Sequence, residues 1–147
     1  MPRLLISSCL LGNECKYCGG SNRLPDEALS ALRGKYTLVP VCPEFAGGLS
    51  VPREPSERIG DKVIMKSGRD VTGEYAKGAA VAAALARRFD CTAALMKAHS
   101  PSCGSGQVYD GTFSGVLTAG DGAAVERLRA LDIQIYSEHD VDALLKE

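Results

Sequence analysis

The sequence predicts an α/β fold: a compact, mostly parallel, Rossmann-like sheet flanked by helices, with the functional site at the carboxyl ends of the strands. Short apolar runs rich in β-branched residues alternate with longer segments of helical composition. No internal repeat or interdomain linker interrupts the chain. Its 147 residues suffice for one packed core but not for two ordinary domains. We therefore expect residues 1–147 to form a single domain.

The first third of the chain predicts two strands and one helix. Leu4–Ser8 (LLISS) is a short apolar run typical of a buried strand. After an irregular loop, Asp26 is the expected N-cap of a helix that Gly34 closes. Tyr36–Val41 (YTLVPV) predicts the second strand, which stops at Cys42-Pro43-Glu44.

The rest of the chain continues the alternation. Residues 45–60 are expected to form a loop, and the alternating segment around Lys62–Lys66 predicts a small peripheral hairpin. Glu74–Phe89 is alanine-rich with basic residues near its end, as suits a helix and its dipole. Cys91–Met96 predicts the third strand, and a glycine- and serine-rich loop over residues 97–122 follows. The last predicted elements are a helix at about Ala123–Leu131, a strand at Ile133–Tyr136 and a short helix near Val141–Lys146.

Charge and composition limit the classes of partner. Seventeen basic residues against eighteen acidic ones leave a formal net charge of -1, which weighs against nucleic acid or an anionic membrane as the main partner. No stretch reaches the roughly 18 apolar residues of a membrane span. The segment MPRLLISSCLLGNEC lacks the long apolar region and cleavage site of an export signal. We expect a cytoplasmic protein; the oligomeric state stays open.

Three of the six cysteines follow predicted strands. Thiols stay reduced in a cytoplasmic protein, so an even number of cysteines does not predict disulfides. Cys9 directly follows the first strand, Cys42 directly follows the second, and Cys103 lies in the loop that leaves the third. The carboxyl ends of parallel strands meet at one edge of a sheet, where ligands bind. The three thiols are therefore expected to converge on a shared metal centre.

The other soft ligands have simpler interpretations. Cys15 and Cys18 form a single C-x2-C pair without a second pair, which favours an accessory role. Cys91 begins a strand and is expected in the core. His139 is expected on a solvated face, and His99, beside the Ser-Pro-Ser-Cys loop, is expected to be structural.

Three thiolates allow two kinds of metal centre. One is a zinc ion with three protein ligands and an open position, and the other is an iron–sulfur cluster held by three cysteines. Either would act as a Lewis acid. Glu44, two residues after Cys42, is a candidate general base or a solvated loop acid. Four basic side chains are candidates to meet an anionic group of a substrate: Arg53, Arg58, Arg69 and Lys97.

Four segments together carry a resemblance to a known family. They are SSCLLGNECKYCGG, VPVCPEFAGGLSVPR, GRDVTGEYAKGA and SPSCGSGQVYDGTFSG. In this order, across nearly the whole chain, they resemble the thiouracil desulfidase family. The first loop departs from the usual C-R-Y-D-G of that family, because Cys18 stands where the acid is expected.

The resemblance implies a cofactor, a reaction and a set of site residues. Cys9, Cys42 and Cys103 would hold a [4Fe–4S] cluster. Glu44 would be the catalytic carboxylate, with Ser100 as a second catalytic residue and Ser102 in contact with substrate. The reaction would remove sulfur from a thiolated pyrimidine such as 2-thiouracil, without net redox change, and release hydrogen sulfide and the oxo base. The alternatives are a zinc-dependent hydrolase that uses the same cysteines and a non-catalytic iron–sulfur sensor or carrier.

Overall fold

The computed structural model describes the whole chain, from Met1 to Glu147, as eight strands and five α-helices with short 3-10 turns at Ser8–Leu11 and Glu138–Asp140. In chain order the elements are β1 (Arg3–Ser7), α1 (Asp26–Lys35), β2 (Thr37–Val41), α2 (Pro43–Ala46), β3 (Ser56–Ile59), β4 (Lys62–Met65), α3 (Thr72–Arg88), β5 (Ala93–Leu95), β6 (Gln107–Tyr109), β7 (Leu117–Ala119), α4 (Ala123–Arg129), β8 (Gln134–Tyr136) and α5 (Val141–Leu145).

Four parallel strands form the main sheet, in the order β2-β1-β5-β8. Leu5 of β1 lies opposite Val39 on one side and Ala94 on the other. The predicted α/β fold with a parallel sheet and flanking helices is therefore confirmed. The chain runs from β1 to β2 on one side and later returns to β5 on the other. The crevice between β1 and β5 is thus the switch point at which such sheets bind ligands.

Alternation along β1 gives the sheet two buried faces. Leu4 and Ile6 pack in one core cluster with residues of α1 and α5, whereas Leu5 packs in a second cluster with residues of α3 and α4. All three side chains are fully buried. Burial of one such side chain stabilises a fold by about 1.5–3 kcal/mol. Helices on both faces therefore hold the strand ends in place.

Two antiparallel hairpins, β3–β4 and β6–β7, stand outside the main sheet. The predicted hairpin near Lys62–Lys66 is confirmed. The loop expected over residues 45–60 is wrong for β3, and the loop expected over 97–122 is wrong for β6 and β7. These strands are only three or four residues long. Their pairing partners, rather than an apolar pattern of their own, define them.

Both ends of α1 differ from the predicted ones. Asp26 is the first helical residue rather than the N-cap, which is Pro25, and the helix passes through Gly34 to Lys35. Asp26 forms an ion pair with Arg23 and lies in the first turn, where the helix dipole favours an acid. None of the helices has the combination of length and apolar character that crossing a membrane requires.

Two glycines bring helices close to the strand ends. A Cβ atom at Gly78 of α3 would overlap the carbonyl group of Pro43, so α2 can rest on α3 only because this position has no side chain. Similarly, a Cβ atom at Gly122 would overlap the backbone of Ser102, which packs against the start of α4. Backbone N–H groups of Ala123 and Ala124 donate to the carbonyl groups of Pro101 and Ser102. Both approaches position segments that contribute to the site.

Candidate active site

A cavity of about 480 Å³ opens at the carboxyl ends of β1, β2 and β5. The loops and turns that follow these three strands supply what we call the inner wall, and β3, β6 and the loop after β6 supply the outer wall. The structure brings all six predicted site residues together in the lining of this cavity: Cys9, Cys42, Glu44, Ser100, Ser102 and Cys103.

Each cysteine of the inner wall is positioned by a different element. Cys9 lies in the 3-10 turn that continues β1, and Cys42 joins β2 to α2. Ser7 and Val41 are partners in the parallel register, so the two cysteines leave neighbouring strands at the same level. Cys103 lies in a turn closed by a hydrogen bond from the Gly104 N–H to the Ser100 carbonyl group. It is the most deeply buried of the three, with 5% of its surface exposed.

The surroundings of the three thiols differ. Burial raises the pKa of Cys103 to about 12 and also raises that of Cys9. The Asn22 side-chain amide donates to the Cys9 Sγ at 3.5 Å and acts in the opposite direction. A hydrogen bond from the neighbouring Cys15 thiol lowers the pKa of Cys42. Buried thiols of this kind bind a metal by exchanging their protons for it.

Glu44 is held through both carboxylate oxygens. The Arg53 Nε and Nη2 atoms lie 3.2 and 2.9 Å from Oε1, and the Ser102 hydroxyl donates to Oε2 at 2.8 Å. The side chains of Arg53 and Glu44 are 3% and 15% exposed, so this ion pair is shielded from solvent. The alternative interpretation of Glu44 as a solvated loop acid is therefore wrong.

Ser100 and Ser102 form a short chain of hydroxyl groups that leads to Glu44. Ser100 Oγ accepts the backbone N–H of Cys103 at 2.8 Å and lies 3.3 Å from Ser102 Oγ. Because Ser100 Oγ is already an acceptor, its O–H is available to donate to Ser102 or to a bound molecule. Ser102 is 2% exposed and also lies 3.5 Å from the Cys103 Sγ.

The four basic residues that were candidates for an anionic group all have carboxylate partners. Arg53 pairs with Glu44 and Lys97 with Glu138, at 2.9 and 2.7 Å, and both basic residues line the cavity. Arg58 and Arg69 do not line it; their partners are Glu126 and Glu74.

Sequence reasoning missed Tyr75 and most of the outer wall. Tyr75 of α3 lines the cavity and is 2% exposed; burial raises its pKa, and the charge of Glu44 adds to the effect. In the outer wall, Glu57 of β3 accepts the backbone N–H groups of Gly111 and Phe113, both at 3.0 Å. Tyr75, Gly111 and Phe113 lie within two of the segments that carry the family resemblance, and this was the available signal for them. For Glu57 the only local signal was the alternation in Glu57-Arg58-Ile59.

The remaining cysteines and histidines lie in different parts of the molecule. Cys15 lines the cavity, whereas Cys18 is exposed and does not. Cys91 lies in the core, as predicted. His139 is exposed, as predicted, and His99 packs edge-on against Tyr109 with 6.0 Å between ring centroids.

The donor set of the inner wall fits an iron–sulfur cluster. Cys9, Cys42 and Cys103 present three sulfur atoms to one cavity, and thiolate sulfur is the usual protein ligand of [4Fe–4S] clusters. No group of three or more His, Cys, Asp or Glu side chains is gathered closely enough to hold a single metal ion. A cluster is larger than one ion, and its ligands stand farther apart.

Comparison with known proteins places these features in a family. The model of the family described as 2-thiouracil desulfurase matches residues 4–140. The chain belongs to this family. The family's match extends from β1 to the turn before α5 and includes every residue of the inner wall.

Two relatives are similar over almost their whole length. The uncharacterized protein YbbK of Bacillus subtilis is 39% identical over 152 residues, which cover 97% of this chain and 99% of that protein. The solved structure of TudS, a [4Fe-4S]-dependent thiouracil desulfidase, is 42% identical with a TM-score of 0.93, and the match covers 98% of this chain and 95% of that one. The predicted family and an enzyme that acts on a C–S bond are confirmed by these matches.

Proposed function

We propose that this chain removes sulfur from a thiolated pyrimidine of the 2-thiouracil type, with a [4Fe–4S] cluster held by Cys9, Cys42 and Cys103. Family membership and the likeness to a [4Fe-4S]-dependent thiouracil desulfidase support the reaction and the cofactor. The observation that carries the proposal is local: the three thiols at the ends of β1, β2 and β5 line the same cavity as a shielded carboxylate, with Cys15 as a fourth cysteine in the lining. When bound, such a cluster supplies a Lewis-acidic iron that draws electron density from the thiocarbonyl carbon.

The reaction balances without an external electron donor. Water adds its oxygen to the thiocarbonyl carbon, the C–S bond breaks, and the two protons of water leave with sulfur as hydrogen sulfide. The products are the oxo base and hydrogen sulfide, so neither carbon nor sulfur changes its formal oxidation state.

We assign Glu44 as the general base that accepts a proton from the attacking water. Its Oε2 atom accepts from Ser102, which also lines the cavity, whereas Oε1 is held by Arg53. A general base in this position typically contributes about 10²–10⁴-fold to a rate. Glu44 is two residues from Cys42, so the base stands beside one of the proposed cluster ligands.

We assign two roles to Ser100 and Ser102: they transfer the proton that Glu44 has taken up, and they help to bind the substrate. Ser102 donates to Glu44 Oε2 at 2.8 Å, which leaves its oxygen free to accept from Ser100 at 3.3 Å. Once Glu44 has taken a proton from water, its Oε2–H becomes the donor to Ser102, and the two hydroxyl groups turn over to pass a proton by way of Ser100 towards the departing sulfur. Ser102 also orients the substrate through its contact with the cavity.

The free cysteines and the net charge support a cytoplasmic location and a small-molecule substrate. All six cysteines are free thiols, which a reducing compartment such as the cytoplasm preserves. The near-neutral net charge of -1 favours a small molecule over nucleic acid as the partner. We assign residues 1–147 to one functional unit because the cavity draws on segments from Ser7 to Gly115.

The experiment that tests the proposal is anaerobic purification or reconstitution, followed by incubation with 2-thiouracil. We expect about four irons and four sulfides per chain, a brown visible spectrum, and release of hydrogen sulfide and uracil in equal amounts without an added reductant. Zinc with no iron, or an absolute requirement for an electron donor, would contradict the proposal. An intact cluster with no product would favour the sensor or carrier.

A further inference from the structure

The side chain of Arg53 is almost fully buried and hydrogen-bonded to protein atoms, although Arg53 lies in a loop. It is 3% exposed, and four hydrogen bonds of its guanidinium group end on protein atoms. Two of them end on Glu44, and the others end on the carbonyl groups of Cys15 and Ser50, at 2.9 and 3.1 Å. The backbone N–H of Arg53 also donates to the Tyr17 carbonyl group at 2.7 Å. Arg53 is therefore poorly placed to bind an anionic group of a substrate.

The contact with Glu44 is asymmetric. An arginine often binds a carboxylate with two parallel bonds, one to each oxygen. Here Nε and Nη2 both end on Oε1, at 3.2 and 2.9 Å, and Oε2 accepts from Ser102. One carboxylate oxygen is thus anchored to Arg53, while the other is turned towards the hydroxyl groups of the cavity.

We propose that Arg53 is a positioning residue that anchors Oε1 of Glu44 and so presents Oε2 to the attacking water. The inference rests on the proposed role of Glu44 as the base. Arg53 also ties this carboxylate to the loop that carries Cys15 and Tyr17, so the wall of the cavity and the base keep a constant separation. A lysine at this position would keep the positive charge but could not place two donors on Oε1 while it holds both carbonyl groups.

The test is a pair of substitutions combined in a cycle: Arg53→Lys, Glu44→Gln and the double variant. Because displacement of a reacting group by about 1 Å can cost on the order of 10²-fold in rate, we expect Arg53→Lys to lower kcat by about 10–100-fold. KM for 2-thiouracil should change by less than about threefold, since the hydrogen bonds of the Arg53 guanidinium group are made to protein atoms. In the Glu44→Gln background, Arg53→Lys should lower kcat by less than about twofold, because the group through which it acts is already lost.

The matched control is Arg69→Lys, which alters an arginine–carboxylate pair whose arginine is 65% exposed and lies outside the cavity. We expect wild-type kcat and KM for this control. Iron content and the visible spectrum, measured for every variant, separate positioning from cluster loss, and we expect both to be retained in Arg53→Lys. Arg53→Met is avoided as the main variant because it would leave the Glu44 carboxylate shielded without its partner.

Two results would overturn the inference. A rise in KM with unchanged kcat in Arg53→Lys would mean that Arg53 binds the substrate. Equal losses of kcat from Arg53→Lys in the wild-type and Glu44→Gln backgrounds would mean that Arg53 does not act through Glu44. A wild-type protein with a full cluster that releases no sulfide would instead contradict the proposed function, and the inference would fall with it.

Discussion

The inner and outer walls of the cavity are held in place by different interactions. Each segment of the inner wall follows a strand of the parallel sheet, and two of them pack closely on a helix at a glycine: α2 at Gly78 and the Ser102 turn at Gly122. The outer wall consists of short hairpins that lie outside that sheet. Its loop after β6 is attached through Glu57, whose Oε1 accepts two backbone N–H groups.

This difference indicates that the two walls have different functions. Chemistry needs groups whose positions do not vary, and buried packing around strand ends supplies that constraint. Closure over a bound molecule needs a surface that can adjust, and a loop held by a few hydrogen bonds opens at lower free energy than a packed core. We therefore expect changes in the inner wall to affect the cluster and kcat, and changes in the outer wall to affect KM.

The largest expected effect is loss of the cluster from the inner wall. Cys42→Ser should bind much less iron than the wild type, because a serine oxygen is a poor substitute for a thiolate ligand. Anaerobic iron and sulfide analysis with the visible spectrum measures this. Cys18→Ser is the matched control, since Cys18 is exposed and does not line the cavity, and it should keep the full cluster. A full cluster in Cys42→Ser would remove Cys42 from the ligand set.

The next effect concerns chemistry with the cluster intact. Glu44→Gln keeps an oxygen that can accept from Arg53 or Ser102 but removes the basicity of the side chain. We expect kcat for sulfide release to fall by about 10²–10⁴-fold, with KM and iron content retained. Loss of iron would mark Glu44 as a structural group or a ligand. Near wild-type turnover would exclude it as the base.

The sequence was most informative where the inner wall is built. Strands with apolar runs end at Cys9 and Cys42, and the rule that parallel strands present their carboxyl ends together was enough to predict that these thiols converge with Cys103. The choice between zinc and a cluster was beyond the residues themselves, because both use three thiolates. The family resemblance made that choice.

The sequence was less informative about partners that are distant in the chain. Arg53 was a candidate for an anion contact, but it pairs with Glu44, and nothing in the eight positions between them indicates this. Strand β3 carries charged residues, and β6 is three residues long within a glycine-rich segment, so neither has a strong periodic signal. The outer wall is thus defined by long-range pairing, which local patterns do not encode.

A smaller effect tests how the inner wall is packed. Gly78→Ala inserts a methyl group where α2 contacts α3, and such overpacking typically costs about 1–3 kcal/mol. Denaturant unfolding should show this loss, and the displacement of α2 should also lower kcat because α2 carries Glu44. The matched control is Gly34→Ala in the exposed part of α1, where an added Cβ atom meets nothing within 4 Å. It should stabilise the protein by about 0.5–1 kcal/mol. Equal effects of the two substitutions would show that helix propensity, not the α2–α3 contact, decides the outcome.

The smallest expected effect lies in the outer wall. Glu57→Gln keeps an oxygen that can accept the Gly111 and Phe113 N–H groups but removes the charge that strengthens both bonds. Hydrogen bonds to a charged acceptor are about twice as strong as neutral ones, so we expect a loss of about 1 kcal/mol in the free energy of unfolding or of loop opening. Faster hydrogen exchange at Gly111 and Phe113 measures the opening.

The same substitution separates the roles of the two walls. A loop that opens more often should raise KM modestly and leave kcat and the cluster unchanged, because Glu57 belongs to the outer wall and the groups assigned to chemistry belong to the inner wall. Glu54→Gln is the matched control: its carboxylate also accepts a backbone N–H, that of Ser67 at 2.8 Å, but it is exposed and does not line the cavity. It should leave both constants unchanged. A fall in kcat of Glu57→Gln comparable to that of Glu44→Gln would place chemistry in the outer wall as well, and the division between the walls would then be wrong.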